Sequence, residues 1–195
     1  MLLFLFCVIV SVIIMTDKTV DITTRSERMK KVKGILNEIF IEGLSGMASG
    51  LFATLIIGTI IQQVGNLIPG PIGQFIVMMG KIASAVTGAG IGCGTAIRLK
   101  SAPLVVLSSA TSGMMGAFAA KIIAGSVLVD GAIVLAGPGE PLGAFIAAIV
   151  SIYIGRLVSG KTKVDILITP FVCIVSGCTV GLLIGPSISS FMTWL

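Results

Sequence analysis

The amino-acid sequence predicts an all-α, polytopic transmembrane protein with about five to six spans, and three observations predict this class. Of the 195 residues, 55% are hydrophobic and 11% are charged, whereas ordinary soluble domains carry about 25% charged residues. The mean hydropathy is +1.14. Several apolar segments approach the roughly 20 residues that a helix needs to cross a hydrocarbon core of about 30 Å. We therefore expect the lipid bilayer to surround the chain.

Five segments fit a membrane-spanning helix in length and composition. They are residues 43–64, 72–97, 102–120, 142–155 and 166–185. The second contains one charge, Lys81, and the fourth is so short that its flanks must add helical residues. A sixth apolar stretch, 122–137, contains Asp130 and is short for a span.

The lysines and arginines predict the orientation of these spans. Eleven of the 13 fall in three regions, six in residues 18–33, two in 98–100 and three in 156–163. Such basic regions stay on the cytoplasmic side of a membrane. For the topology to close, residues 121–141 must begin and end on the outer side, as a hairpin, a re-entrant segment or an interfacial helix. Irregular backbone at membrane depth is stable only inside protein or beside water.

Two segments precede the predicted membrane domain of residues 38–195. Residues 1–16 are apolar but short, and they lack the basic start and the small-residue cleavage site of a signal peptide. A signal-anchor helix and a start codon assigned too early both account for them. Residues 17–37 form a basic, water-soluble run that we expect in the cytoplasm.

The composition excludes several classes of function. The chain has no histidine, and its four cysteines form no CxxC pair. A histidine-based site is thus excluded, and we expect neither a metal nor another cofactor. One tryptophan and one tyrosine offer little stacking surface for a nucleic acid. The net charge of +5 does not indicate a nucleic-acid partner, because basic residues also serve to orient helices in a membrane. We therefore expect no nucleic-acid partner.

Glycines recur four residues apart within the apolar segments, which places them on one helix face. Such groups are Gly46 with Gly50, Gly88 with Gly92, Gly90 with Gly94, and Gly177 with Gly181 and Gly185. Small residues at this spacing let helix backbones approach closely in a membrane. The pattern predicts close helix packing, with a mobile helix or a solute pathway as the alternative.

A short similarity within the chain indicates an internal repeat. Pro71 begins the hexapeptide PIGQFI, and Pro141 begins PLGAFI. Proline is favoured in the first turn of a helix, so each hexapeptide is expected to begin an inward-running helix. A parallel repeat of the kind that transporters use and a coincidence in a biased composition are the two interpretations.

Five polar residues in or beside the apolar segments are candidates for substrate binding, namely Lys81, Glu140, Thr162, Asp165 and Thr169. A charge inside a span costs about 2.5–3.5 kcal/mol on insertion scales. Lys81, about nine residues into its span, is thus expected in a buried ion pair with Asp130 or Glu140, or on a solute pathway. Glu140 is either an exposed loop carboxylate or an acceptor for a substrate hydroxyl or a proton. Asp165 either caps the last span or faces a ligand. None forms a nucleophile–base pair, so no catalytic residue is assigned.

Four runs of residues carry a resemblance to a known family. They are EGLSGMASGLFATLIIG at 42–58, LKSAPLVV at 99–106, PLGAF at 141–145, and LVSGKT at 157–162 followed by Asp165, Thr169 and Pro170. Together these runs resemble the bacterial phosphotransferase-system EIIC-like sugar permeases, and the similarity extends over about residues 38–190. The membrane domain 38–195 is therefore similar to an EIIC domain.

The resemblance implies a permease component that binds and passes a small-molecule sugar in the bacterial inner membrane, with Thr162, Asp165 and Thr169 among its substrate-binding residues. In such a system the phosphate arrives on cytoplasmic phosphoryl-carrier proteins, on His or Cys, which agrees with a chain that has no histidine. Whether the protein is an enzyme is left open, since it would be at most the membrane subunit of a sugar phosphotransferase complex.

Members of the family are longer and have a second membrane half. We therefore expect a truncated chain or one part of a split protein, whose partner supplies this half. A homo-oligomer is expected on separate grounds, because the glycine-rich faces of five spans leave close-packing surface uncovered. Two other functions stay open. One is a transporter or channel for another small solute without phosphoryl coupling, and the other is a non-transporting fragment or subunit of a split membrane protein.

Overall fold

The computed structural model describes residues 33–129, 132–161 and 164–194, and these are mainly helical. The apolar segment 1–16 and most of the basic run 17–37 lie outside the described residues, as do Asp130 and the candidate Thr162.

Six helices follow one another along the described chain. They are α1 (Lys33–Leu67), α2 (Pro71–Ala85), α3 (Thr87–Arg98), α4 (Pro103–Ile123), α5 (Pro141–Val158) and α6 (Asp165–Trp194). Within α1, two π-helical turns, Ile39–Gly43 and Phe52–Ile56, flank the α-helical stretch Leu44–Leu51. The helix ends with a second α-helical stretch, Ile57–Leu67.

The helices confirm the prediction of an all-α polytopic protein. Four of them, α1, α4, α5 and α6, are each long and apolar enough to cross a membrane. Helices α2 and α3, which meet at a bend of 51°, together have the length and composition of a broken span or a re-entrant loop. Each span overlaps one of the five predicted segments. The short fourth segment gains residues at both ends, as expected, and becomes α5.

Residues 121–141 contain the end of α4, a short β-hairpin and an irregular loop. In the hairpin, β1 (Leu128–Val129) pairs antiparallel with β2 (Ala132–Ile133). The described part of this region contains no helix between α4 and α5, which leaves the hairpin and the re-entrant segment of the three predicted alternatives.

Three helices begin at a proline, namely Pro71, Pro103 and Pro141. Proline has no N–H, and its fixed φ suits the first helical turn, where that N–H would have no partner within the helix. Gly70, just before α2, has φ of 94°, a conformation that glycine adopts without strain. The loop can therefore reverse direction directly before α2.

Helices α3 to α6 form one bundle, in which α4 contacts α3, α5 and α6. Its fully buried side chains include Ile91, Val105, Phe118, Ile152 and Cys173. Helix α1 packs on α3 with its first half and on α2 with its second. The second half of α1 and α2, residues 57–85, pack mainly against each other, and we call them the arm.

The predicted close approach of helices at glycine is confirmed. A Cβ atom added to Gly46 would lie under 3 Å from the backbone of Gly94, and one added to Gly50 would collide with the backbone of Gly90. Gly177 likewise lies against Ser112 and Ser151. Helices α1 and α3 therefore meet almost backbone to backbone, and α6 packs directly on small serine side chains of α4 and α5.

The two similar hexapeptides adopt similar positions. Pro71 and Pro141 each begin the second helix of an antiparallel pair, α1–α2 and α4–α5. Two residues after each proline, Gly73 lies against the carbonyl of Gly65, and Gly143 against that of Gly116. This shared local packing supports the repeat interpretation.

Candidate functional site

The two ends of the bundle differ in chemistry. One end carries Arg98, Arg156 and Asp165, at the ends of α3 and α5 and the start of α6, and we call it the basic end. The other carries Glu140 and the β1–β2 hairpin, and we call it the hairpin end. The predicted orientation places the basic end in the cytoplasm.

At the basic end, Asp165 and Thr169 form a hydrogen-bonded pair in the first turn of α6. The Thr169 hydroxyl donates to Asp165 Oδ1 over 2.6 Å, and the backbone N–H of Gly160 donates to the same oxygen over 2.9 Å. Gly160 has φ of 77°, in the left-handed region that favours glycine. The carboxylate thus fastens the preceding turn to the helix.

The two members of this pair differ in exposure. Thr169 is fully buried, whereas Asp165 is half-buried. Asp165 Oδ2 accepts no hydrogen bond from the residues that the structure describes. An oriented carboxylate oxygen of this kind can accept hydrogen bonds from the hydroxyls of a polar ligand.

Two glutamates of α1 bind arginines at the same end, and the sequence analysis missed both. Arg156 Nη1 lies 3.2 Å from Glu38 Oε1, and Arg156 Nε donates to Ser101 Oγ over 3.2 Å. The Tyr153 hydroxyl donates to Glu38 Oε2 over 3.5 Å, a distance at the limit for a hydrogen bond. This network joins the first turns of α1 to the end of α5.

The second pair is weaker and joins α1 to α3. Arg98 Nε lies 3.7 Å from Glu42 Oε2, and both side chains are about half exposed. Arg98 also donates to Ser45 Oγ over 2.7 Å. Glu38 and Glu42 lie one helical turn apart, near the predicted cytoplasmic surface and its basic residues. Two glutamates at this spacing, close to basic residues, are the sequence pattern that could have predicted both ion pairs.

The remaining candidates lie elsewhere. Glu140 directly precedes α5, and Asp165 follows its other end. The 18 residues of α5 span about 27 Å at 1.5 Å per residue. Lys81 lies on α2, in the arm, where it is exposed and forms no ion pair with a described residue. The structure thus brings Asp165 and Thr169 together and separates Glu140 and Lys81 from them.

A row of buried hydroxyls crosses the bundle interior. Ser112 Oγ donates to Ser151 Oγ over 3.1 Å, and Ser109 Oγ donates to the Gly92 carbonyl over 3.1 Å. The buried hydroxyl of Thr95 has no hydrogen-bond partner among the described residues. Such contacts fasten membrane helices to one another.

A break in the second span lies beside a π-helical turn of the first. Helices α2 and α3 meet at Val86 with the 51° bend, and the Thr87 hydroxyl donates to the carbonyl of Ser84 over 2.6 Å. Across from the break, Gly90 lies against the Thr54 side chain in the π turn Phe52–Ile56. Discontinuous helices and π turns are frequent at functional sites. The π turn and the break lie where the two helices of the arm join the bundle.

No group of three or more potential ligand residues that could hold a metal ion occurs within the described ranges. Among known proteins, the family model for the phosphotransferase system EIIC component matches residues 41–195. No curated protein and no solved structure matches the chain.

Proposed function

Since the chain belongs to the phosphotransferase system EIIC family, we propose that it binds a sugar and passes it across the bacterial inner membrane. Membership of the family makes it a component of a phosphotransferase-type permease, and its four to five apolar spans make it a multi-pass membrane protein. The sugar, the cytoplasmic phosphoryl-carrier partners and the bacterial inner membrane are the parts that we propose.

The pair Asp165–Thr169 carries the proposal for the inner end of the pathway. The carboxylate is held by Thr169 and Gly160 on one oxygen, which leaves the other oxygen for a sugar hydroxyl. Because Asp165 is half-buried, a sugar can reach its carboxylate, and a hydrogen bond to that carboxylate is stronger there than in bulk water. Thr162, two residues after Gly160 in the sequence, is proposed as a second contact.

Glu140 is proposed as the corresponding acceptor at the outer end. Its backbone N–H donates to the Ala117 carbonyl over 2.7 Å, which fixes the start of α5, and the residue is half-buried. A ligand cannot bridge about 27 Å between Glu140 and Asp165. We therefore propose that a sugar contacts these two carboxylates in succession.

The arm supplies the conformational step of this proposal. Gln62 Nε2 donates to Ser84 Oγ over 2.9 Å, which joins the two helices of the arm. The π turn Phe52–Ile56 and the break at Val86 lie at the junction between the arm and the bundle. We propose that the arm rocks as one unit about this junction, because transporters alternate access by moving one repeat against another.

The direct test is sugar uptake in proteoliposomes with an energy-coupling phosphoryl donor and the cytoplasmic carriers of the host. We expect saturable uptake of at least one sugar, with phosphorylated product inside only when the carriers are present. Uptake that is equal with and without the carriers would favour a transporter without phosphoryl coupling. No saturable uptake of any sugar would contradict the proposal.

A further inference from the structure

A four-residue pattern occurs four times in the arm. Each copy has the order apolar residue, glycine, polar residue, apolar residue, and the two copies on one helix lie seven residues apart. The copies are IGTI at 57–60 and VGNL at 64–67 on α1, and IGQF at 72–75 and MGKI at 79–82 on α2. Because seven residues make nearly two turns of an α-helix, equivalent positions of the two copies lie on one face of their helix.

The glycines of the pattern are the points at which the two helices of the arm meet. A Cβ added to Gly58 would lie under 3 Å from the Gly80 carbonyl, and one added to Gly65 would lie under 3 Å from the Gly73 carbonyl. The next residue in a helix is turned by about 100°, so each polar residue lies to one side of this contact. We call this the polar side of the arm, and its residues are Thr59, Asn66, Gln74 and Lys81.

Both helices present their polar residues on the same side. Asn66 of α1 lines one groove of about 500 Å³ together with Gln74 and Lys81 of α2. The side chains of these three residues form no hydrogen bond with one another or with other described residues. A water molecule occupies about 30 Å³ in the liquid, so the groove can hold several.

The polar side continues the side on which α1 and α3 pack against the bundle core. Where α1 and α3 meet at their glycines, the residues that directly follow these glycines are Met47, Leu51, Ile91 and Thr95. The last two are fully buried, and the first two pack against the core. In the arm, the residues at the equivalent positions are polar and exposed, since the described parts of α4, α5 and α6 make no extensive contact there.

The apolar residues of the pattern favour lipid around the other sides of the arm. All eight are exposed, from 43% for Ile57 to 82% for Leu67, and soluble surfaces rarely contain so large an apolar patch. Polar and charged side chains within a membrane face protein or a water-filled cavity. Lipid on the apolar sides and water on the polar side satisfy both sets of residues.

From this division, we propose that the polar side of the arm is a wall of a water-filled solute pathway. Hydroxyl, amide and ammonium groups on this wall can each form a hydrogen bond with a sugar hydroxyl. The pathway runs along the side that the arm shares with the bundle core, so a rocking arm would widen or narrow it. The contact with sugar rests on the proposed function, whereas the contact with water does not.

The test is the reactivity of single cysteines in proteoliposomes, in a background without the four native cysteines. Thr59→Cys and Gln74→Cys report on the polar side, one on each helix. The matched controls are Ile60→Cys and Phe75→Cys, each one residue further along the same helix and exposed as well. A charged, membrane-impermeant thiosulfonate is added on both sides of the membrane, and circular dichroism checks the fold of each variant.

We expect the charged reagent to modify Thr59→Cys and Gln74→Cys at least about tenfold faster than their controls, because it attacks the thiolate, which forms poorly in apolar surroundings. After unfolding in a denaturing detergent, all four variants should react equally. Modification of Gln74→Cys should also block uptake of the sugar that the proteoliposome assay identifies, whereas treated Phe75→Cys should retain it.

Three results would overturn the proposal. Equally fast reaction on both sides would place the whole arm in water, and equally slow reaction would show that no water reaches the polar side. Unchanged uptake after modification of Gln74→Cys would separate the polar side from the solute pathway. Absence of uptake in the wild type would contradict the proposed function, and the reaction rates would still decide whether the polar side faces water.

Discussion

The hydroxyl of Thr169 donates a 2.6 Å hydrogen bond to the carboxylate of Asp165, one helical turn earlier in α6. Thr169 is fully buried while Asp165 is half-buried, so the buried residue positions the accessible one. The same carboxylate oxygen accepts the Gly160 N–H. A carboxylate that is fixed from two sides loses little freedom when it binds a ligand.

Replacing Thr169 by valine should lower both stability and sugar binding. Valine has a similar shape but no hydroxyl, so the Asp165 carboxylate loses a donor, and we expect a cost of about 1–2 kcal/mol in unfolding free energy. The matched control is Thr179→Val in the same helix, whose exposed hydroxyl donates only to the Val175 carbonyl. Thermal unfolding and ligand titration in detergent measure both variants, and equal behaviour of the two would contradict a positioning role for Thr169.

The ion pair Glu38–Arg156 should stabilise the fold more than Glu42–Arg98 does. The first pair is less exposed and shares Ser101 and Tyr153, whereas the second is about half exposed at 3.7 Å. We expect Glu38→Gln to cost about 1–3 kcal/mol and Glu42→Gln less than about 1 kcal/mol. A double-mutant cycle with Arg156→Gln measures the coupling, and a coupling near zero would show that the first pair adds no stability.

The close crossing of α1 and α3 should not tolerate a methyl group. A Cβ at Gly50 would collide with the backbone of Gly90, so we expect Gly50→Ala to destabilise the protein by about 1–3 kcal/mol. Gly34, near the start of α1, has no atom within 4 Å of an added Cβ. Gly34→Ala should therefore be neutral, or stabilising by up to about 1 kcal/mol, because alanine favours a helix. Unfolding midpoints in detergent compare the two.

Two engineered disulfides test whether the arm moves as one unit. Both are made in a background that lacks the four native cysteines. The pair Gln62→Cys with Ser84→Cys joins the two helices within the arm, where these residues already form a hydrogen bond, and should leave uptake unchanged. The pair Thr54→Cys with Gly90→Cys fastens the π turn at the junction to α3, so it should restrain the rocking and lower uptake relative to the same variant kept reduced. Inhibition by the first pair, or full activity with the second, would contradict the rocking motion.

The spans and the glycine contacts could be predicted because their causes are local. Apolar length decides whether a helix crosses the membrane, and a four-residue spacing places Gly46 and Gly50 on one face in any helix. The same spacing places Asp165 and Thr169 within reach of each other. These features therefore needed no knowledge of the tertiary structure.

The rest depends on contacts between distant residues. Glu38 and Arg156 are 118 positions apart in the chain, and one sequence does not indicate which arginine a glutamate will meet. The break at Val86 follows no proline or charge, and the π turns of α1 have no sequence signal that we used. The expected ion pair of Lys81 likewise needed a distant partner, and in the structure Lys81 is exposed on α2 and forms no ion pair with a described residue.

The central claim is that Asp165 holds the sugar, and equilibrium binding tests it most directly. Radiolabelled sugars are titrated against wild-type protein, Asp165→Asn and the control Glu42→Gln in proteoliposomes. We expect saturable binding to the wild type and to Glu42→Gln, and a loss of about tenfold or more in Asp165→Asn, since hydrogen bonds to charged groups contribute about 1.5–3 kcal/mol. Equal affinity of the wild type and Asp165→Asn for a sugar that binds saturably would contradict the claim.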